Sequence, residues 1–359
     1  MRSAGSSEQA LDPAAQSTAR TVAGRRYGVL MGLRDCSQRA SAYGRLPSET
    51  GSLPGGGSPG SANEMKALIT GGRGFVGNFL TGCLAARRDH VTIVSREPSS
   101  LRTARADVDV APWLPDLSGY DAVFHLAGEP IFGRRWSADQ MEHIRTSRIS
   151  STRKLVAAME QADPRPRVFV CASAIGYYGE RGEEVLNEQA EPGPDFLASV
   201  CAEWEREAAN ATELGVRAVS ARLGIVLGLD GGALQRMLPP FRLGLGGTIG
   251  LGKHWMSWIH IKDLCQLLLH AADDDSITGP LNATAPETLT NRDFTRCLGR
   301  VLKRPTLFPV PALALRAALG PVAGVLTASQ RCSAQRALDS GFVFEFPELE
   351  PALRQLLHR

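Results

Sequence analysis

The sequence predicts an α/β fold, in which a doubly wound parallel sheet is followed by a smaller C-terminal α+β lobe. Three observations predict it. Short apolar runs recur at wide intervals after Met65, stretches of helical periodicity separate them, and after about Asp230 the pattern changes to glycine-rich loops and amphipathic helices. Unbroken apolar runs suit strands buried on both faces, and strands alternating with helices suit a parallel sheet whose ligands bind at the strands' carboxyl ends.

The runs cover positions 67–70, 91–94, 122–127, 168–172 and 218–227. The expected boundaries are therefore a sheet domain over 65–230 and a substrate-side lobe over 231–359, with Pro305, Pro309 and Pro311 breaking the lobe before a helical tail. Residues 1–64 are rich in Ser, Ala, Gly and Arg, lack Lys and end in a Gly/Pro/Ser stretch. That composition predicts a disordered extension, read either as an over-long start or as transit-like. The first reading places the protein in the cytoplasm, and the second allows an organelle.

Charge and composition exclude several classes. The chain carries 40 Lys plus Arg against 37 Asp plus Glu, and beyond residue 64 the balance is 33 to 32, so nucleic acid is not an expected partner. No apolar run approaches the roughly 20 residues a membrane span requires, and no membrane partner is expected. The seven cysteines are widely spaced with no Cys-x-x-Cys pair, which predicts reduced, buried thiols and no metal centre. A monomer or homodimer acting on a small molecule is the expected state.

Directly after the first run comes Thr70-Gly71-Gly72-Arg73-Gly74-Phe75-Val76-Gly77, leading into a helix. Gly71 permits the tight turn, Gly74 lets backbone approach a pyrophosphate, and Gly77 allows close packing of helix on strand. Phe75 and Val76 open the helix whose amino terminus faces the phosphates. These features make the sheet Rossmann-type. The second run ends in Ser95-Arg96, where an NAD site has a carboxylate. Guanidinium suits a ribose 2′-phosphate, Ser95 adds a hydroxyl and Arg73 a second positive charge, so the predicted cofactor is NADP. Leu126, Ala127 and Gly128 leave the next run as a small-residue turn against the cofactor. Ser137 to Gln140 reads as a capping box opening a helix, with Arg148 in its apolar stripe either as a contact to the cofactor or to a carboxylate, or as a snorkelling side chain.

The glycine motif, His125 to Glu129, Ser173 and Trp258 to Asp263 resemble the extended branch of the short-chain dehydrogenase/reductases. More narrowly, Ala172 to Gly179, the Phe196 to Glu205 helix and Leu243 to Gly247 resemble its atypical, NADP-binding epimerase-family subgroup, which ends in a domain of unknown function and includes members named for cell-division inhibition. The resemblance implies an NADP-dependent oxidoreductase or epimerase. Hydride-transferring relatives use a Tyr and a Lys four residues later, yet alignment on Glu205 puts Leu197 and Cys201 at those positions. Ser173 with Tyr178, or Tyr177, is then the candidate catalytic set, against the alternative that all three merely pack. Losing the pair also fits a non-catalytic NADP-binding regulator. Arg222 is open between holding an anionic substrate and bracing the sheet, while Asp263 is expected to cap a helix.

Overall fold

The computed structural model describes residues 64–95 and 108–357. Seven parallel strands form the central sheet: β1 (Lys66–Thr70), β2 (His90–Val94), β3 (Val108–Ala111), β4 (Ala122–His125), β5 (Val168–Ala174), β6 (Arg217–Leu223) and β7 (Gly279–Ala283). Their order across the sheet is β7-β6-β5-β4-β1-β2-β3. Ala67 of β1 registers with Val91 on one side and Ala122 on the other, so the winding direction reverses between β1 and β4. Such a reversal opens a crevice at the strands' carboxyl ends. The sequence-predicted disordered extension lies outside the described residues.

The five predicted runs are all strands, and two further strands complete the sheet. β3 is short, with Asp109 exposed between valines, so it lacks the unbroken apolar signature. β7 lies beyond the expected 230/231 boundary. Its Gly279 and Pro280 are poor strand formers, and the strand sits at the sheet edge, where such residues are tolerated. The sheet domain therefore includes chain from the far side of that boundary, a correction to the two-segment division.

Helices cover the sheet in two pairs: α1 (Phe75–Ala86) packs with α5 (Ile261–Asp273), and α2 (Ala138–Gln161) with α3 (Phe196–Ala209). Leu68, Val123 and Phe169 of the sheet meet Leu155, Met159 and Trp204 of α2 and α3 in one buried core. The α2 cap is half a capping box: Ser137 Oγ accepts from the Gln140 amide at 3.2 Å, but the Gln140 side chain turns to Glu129 instead of back to Ser137. At α5, His260 Nδ1 rather than Asp263 takes the cap, accepting from the Lys262 amide. Asp263 accepts from the amides of Glu345 and Phe346 instead, both at 2.9 Å, and so ties the chain's last segment to the start of α5.

The lobe is built from α4 (Gly232–Arg242), α6 (Asn291–Leu302), α7 (Ala312–Leu319) and α8 (Leu349–Leu357) with short strand pairs. It has a core of its own, in which Leu234, Phe241, Phe294, Leu298 and Leu353 surround Trp258. Among the described residues no helix is long and apolar enough to cross a membrane.

Candidate functional site

The turn after β1 is a cradle that only glycine can line. Gly71 has φ +74°, and a Cβ there would meet the backbone of Leu126 and Ala127 at 2.7 Å. A Cβ on Gly77 would come within 2.2 Å of the Gly71 carbonyl oxygen. The glycine turn thus rests directly on the exit of β4, where the Leu126 amide donates to the Thr70 carbonyl at 3.1 Å. Gly74 is exposed and serves as N-cap of α1 with no side-chain cap, which leaves the first-turn amides facing the crevice without a side-chain acceptor. A dinucleotide pyrophosphate fits such a set of donors.

The other predicted cofactor residues distribute around this cradle. Arg73 is exposed beside it, Val76 is half-buried on α1, and Ser95 is buried at the end of β2 with its amide donating to Ala111. The Phe75 ring is taken up elsewhere, enclosed by Gly228, Gly231 and Gly232, where a Cβ would lie at most 3.0 Å from it. Only the Phe75 backbone remains for a cofactor. Arg96 lies outside the described residues. Arg148 does not snorkel: its guanidinium packs against Gly128, donates to the Ile144 carbonyl at 3.0 Å and lies 5.2 Å from the Trp204 ring centre. Burial lowers its pKa, and Cys201 and the Glu129 carboxylate only partly oppose that effect. His125, fully buried between Thr70 and Ser151, is driven by desolvation to a pKa of about 3 and stays neutral.

The predicted catalytic residues fall into one buried polar network. Arg222, at the end of β6, donates from Nε to Glu205 Oε1 at 2.9 Å and from Nη2 to Oε2 at 2.8 Å. Ser173 Oγ donates to the same Glu205 at 2.6 Å. Arg222 Nη1 donates to the Tyr178 hydroxyl at 2.9 Å, and that hydroxyl donates its one proton to Asn282 Oδ1 at 2.7 Å, with the Asn187 carbonyl at 3.0 Å as the alternative acceptor. Tyr178 is fully buried, and burial pushes its phenol well above the ordinary range despite the neighbouring Arg222. Burial also opposes the charge on Arg222, but the bonded Glu205 carboxylate more than offsets it. The hydroxyls of Ser173 and Tyr178 are therefore both engaged internally, as the packing alternative expects. Tyr177 is half-buried, with Arg222 Cζ 3.5 Å from its ring centre, and burial raises its pKa too.

Leu197 and Cys201, the positions compared above with the Tyr and Lys of hydride-transferring relatives, both lie on α3. A Cβ on Gly176 would touch Leu197 at 3.7 Å, and burial lifts the Cys201 thiol to about 12. That thiol is no nucleophile at neutral pH. Sequence reasoning missed the role of Glu205, used there only as an alignment mark, and of Asn282; neither belongs to a local motif. No cluster of metal-ligating side chains occurs among the described residues.

Comparisons with known proteins agree with this architecture. Residues 67–282 match the NAD dependent epimerase/dehydratase family, and residues 310–356 match a domain of unknown function (DUF1731). The chain is 37% identical over 301 residues to the epimerase family protein YfhF of Bacillus subtilis, with 82% of this chain and 98% of that protein covered. It is also 37% identical over 305 residues to the chloroplastic SDR39U1 homolog of Arabidopsis thaliana, covering 82% and 87% respectively. The crystal structure of human epimerase family protein SDR39U1 (isoform 2) with NADPH superposes at TM-score 0.75 with 34% identity, over 82% of this chain and 100% of that one.

Proposed function

The chain belongs to the NAD-dependent epimerase/dehydratase family, and from that membership we propose that it binds NADP and acts as an oxidoreductase or epimerase on a small oxygenated substrate. The observation that carries this reading is the side-chain-free cradle of Gly71 and Gly77 against Leu126 and Ala127, at the reversal point of the sheet. In it, Gly71 to Gly77 with the first-turn amides of α1 hold the pyrophosphate, and Leu126 to Gly128 flank a ribose. Ser95, Arg96 and Arg73 hold the 2′-phosphate, a choice supported by the NADPH in the human relative. When bound, the nicotinamide donates or accepts a hydride.

Tyr177 is the proton donor in this reading. Burial raises its pKa, so the phenol is protonated at neutral pH, and Arg222, stacked on its ring, partly opposes that shift, which links Tyr177 to the network holding Ser173 and Tyr178. Those two act as positioning residues beneath it, together with Arg222 and Glu205. A second reading, a non-catalytic NADP-binding regulator, is favoured by Leu197 and Cys201 in place of the Tyr and Lys pair.

Calorimetric titration with NADPH and NADH, on the parent and Arg96→Ala, tests binding. Preference for NADPH that disappears in the variant is the expected result; binding of neither nucleotide overturns the cofactor assignment. Turnover of carbonyl substrates by the parent and Tyr177→Phe then separates the two readings. Activity lost in the variant supports the enzyme, and NADPH binding with no turnover of any tested carbonyl supports the regulator.

A further inference from the structure

Among the described residues ten large apolar side chains are exposed, and seven of them fall within 243–251 and 307–313. Leu243, Leu307 and Leu313 are 74%, 75% and 79% exposed. The two segments form one face of the lobe. The Val310 amide donates to the Thr248 carbonyl and the Gly250 amide to the Val310 carbonyl, each at 2.8 Å, while Pro305 lies on Gly244. α7, which continues the face, is rich in Ala and Leu and buries no residue.

Cations border these side chains on the side of Leu307. Next to Leu307, an open depression of about 530 Å³ is lined by Arg296, Arg300, Lys303 and Arg304 with Pro305 and Thr306. Among the described residues Arg242, Arg296, Lys303, Arg304 and Arg316 form no ion pair, whereas Arg300 pairs with Glu350 and Lys262 with Glu345. A contiguous exposed apolar patch marks an interaction site, and its cationic rim selects an anionic partner. A second copy docked symmetrically would set these cations against themselves. A specific protein partner fixes its register through charges of both signs, and neither the lining of the depression nor the segments 243–251 and 307–313 carry a carboxylate of their own. Aliphatic tips within cations suit a fluid anionic surface, where no register is needed.

We propose that this face docks on anionic lipid bilayers, with the Leu and Phe side chains entering the headgroup region and the cations meeting lipid phosphates and carboxylates. The sequence-based exclusion of a membrane partner concerned spanning helices, and surface docking needs none. The inference is independent of the nucleotide reading.

Co-sedimentation of the full chain with vesicles tests it, using phosphatidylcholine alone and equal parts phosphatidylcholine and phosphatidylserine. Binding to the acidic vesicles only, weakened by salt, is expected. Lys303→Glu with Arg304→Glu, and separately Leu307→Ser with Phe308→Ser, each lower that binding about tenfold or more, at an unchanged melting temperature because all four side chains protrude. Val343→Ser, exposed but off the face, leaves binding intact. Failure to bind acidic vesicles, or equal binding by both double variants and the parent, overturns the proposal. Capture on immobilised polyglutamate without vesicle binding overturns it too, in favour of an acidic protein partner.

Discussion

Arg222 and Glu205 show what single side chains contribute here. Their side chains are 3% and 12% exposed, and three other polar groups depend on them. Glu205→Gln leaves a buried guanidinium without its counter-charge, and denaturant unfolding is expected to record a loss of about 3–5 kcal/mol. Tyr178→Phe removes only a hydroxyl, but it leaves Arg222 Nη1 and Asn282 Oδ1 each short of a partner and costs about 1–3 kcal/mol. Gly77→Ala must displace the glycine turn by the overlap with Gly71, so nucleotide affinity measured by calorimetry drops sharply while the rest of the sheet stays folded. The glycine positions were legible in the sequence because spacing and flanking elements act locally. The network was not, because Arg222 pairs with a residue 17 positions away on a different element, and no spacing rule links the end of a strand to the face of the preceding helix.

Elements carry the next layer of information, and their ends were less legible than their middles. The helix beginning at Phe196 is stopped from fraying by Asp195, whose carboxylate accepts from the Ala198 amide at 2.9 Å. Asp195→Ala is expected to cost about 1 kcal/mol in thermal or chemical unfolding, the usual loss of an N-cap. The α5 cap was misassigned because an Asp in a helix's first turn ordinarily faces its own amides, whereas Asp263 points across to residues 345 and 346, distant in sequence. β7 escaped notice for a related reason: an edge strand opening with Gly-Pro takes its identity from its partner β6 rather than from its own composition. The unbroken runs of β1, β4, β5 and β6 were plain, since burial on both faces writes itself into every residue.

At the scale of the whole molecule, the doubly wound sheet and the crevice at its reversal followed from the alternation of elements, while the lobe's interleaving with the sheet did not. Stability should vary with acidity in a defined way. His125 and His260, held neutral by burial with pKa values near about 3 and about 4, must gain protons on unfolding below their ordinary pKa of 6.5. Each contributes stability above pH 6.5 that is lost as pH falls toward its folded value, on the order of 3 kcal/mol or more apiece. Asp263, raised to about 6, works the other way, favouring the fold as pH drops from 6 to 3.8, and offsets about one of the two. The melting temperature is therefore expected to rise from pH 4 to 6.5, and His260→Gln flattens that rise. A melting temperature that falls over this interval contradicts the assignment.

The position of β7 also sets a clock for synthesis. β6 ends at Leu223 and its outer neighbour begins only at Gly279, so a ribosome adding about 5–20 residues per second needs roughly 3–11 s to supply the strand that closes that edge. For those seconds the nascent sheet presents an open row of amides and carbonyls, and its vulnerability to sticking is greatest while the ribosome is translating the lobe.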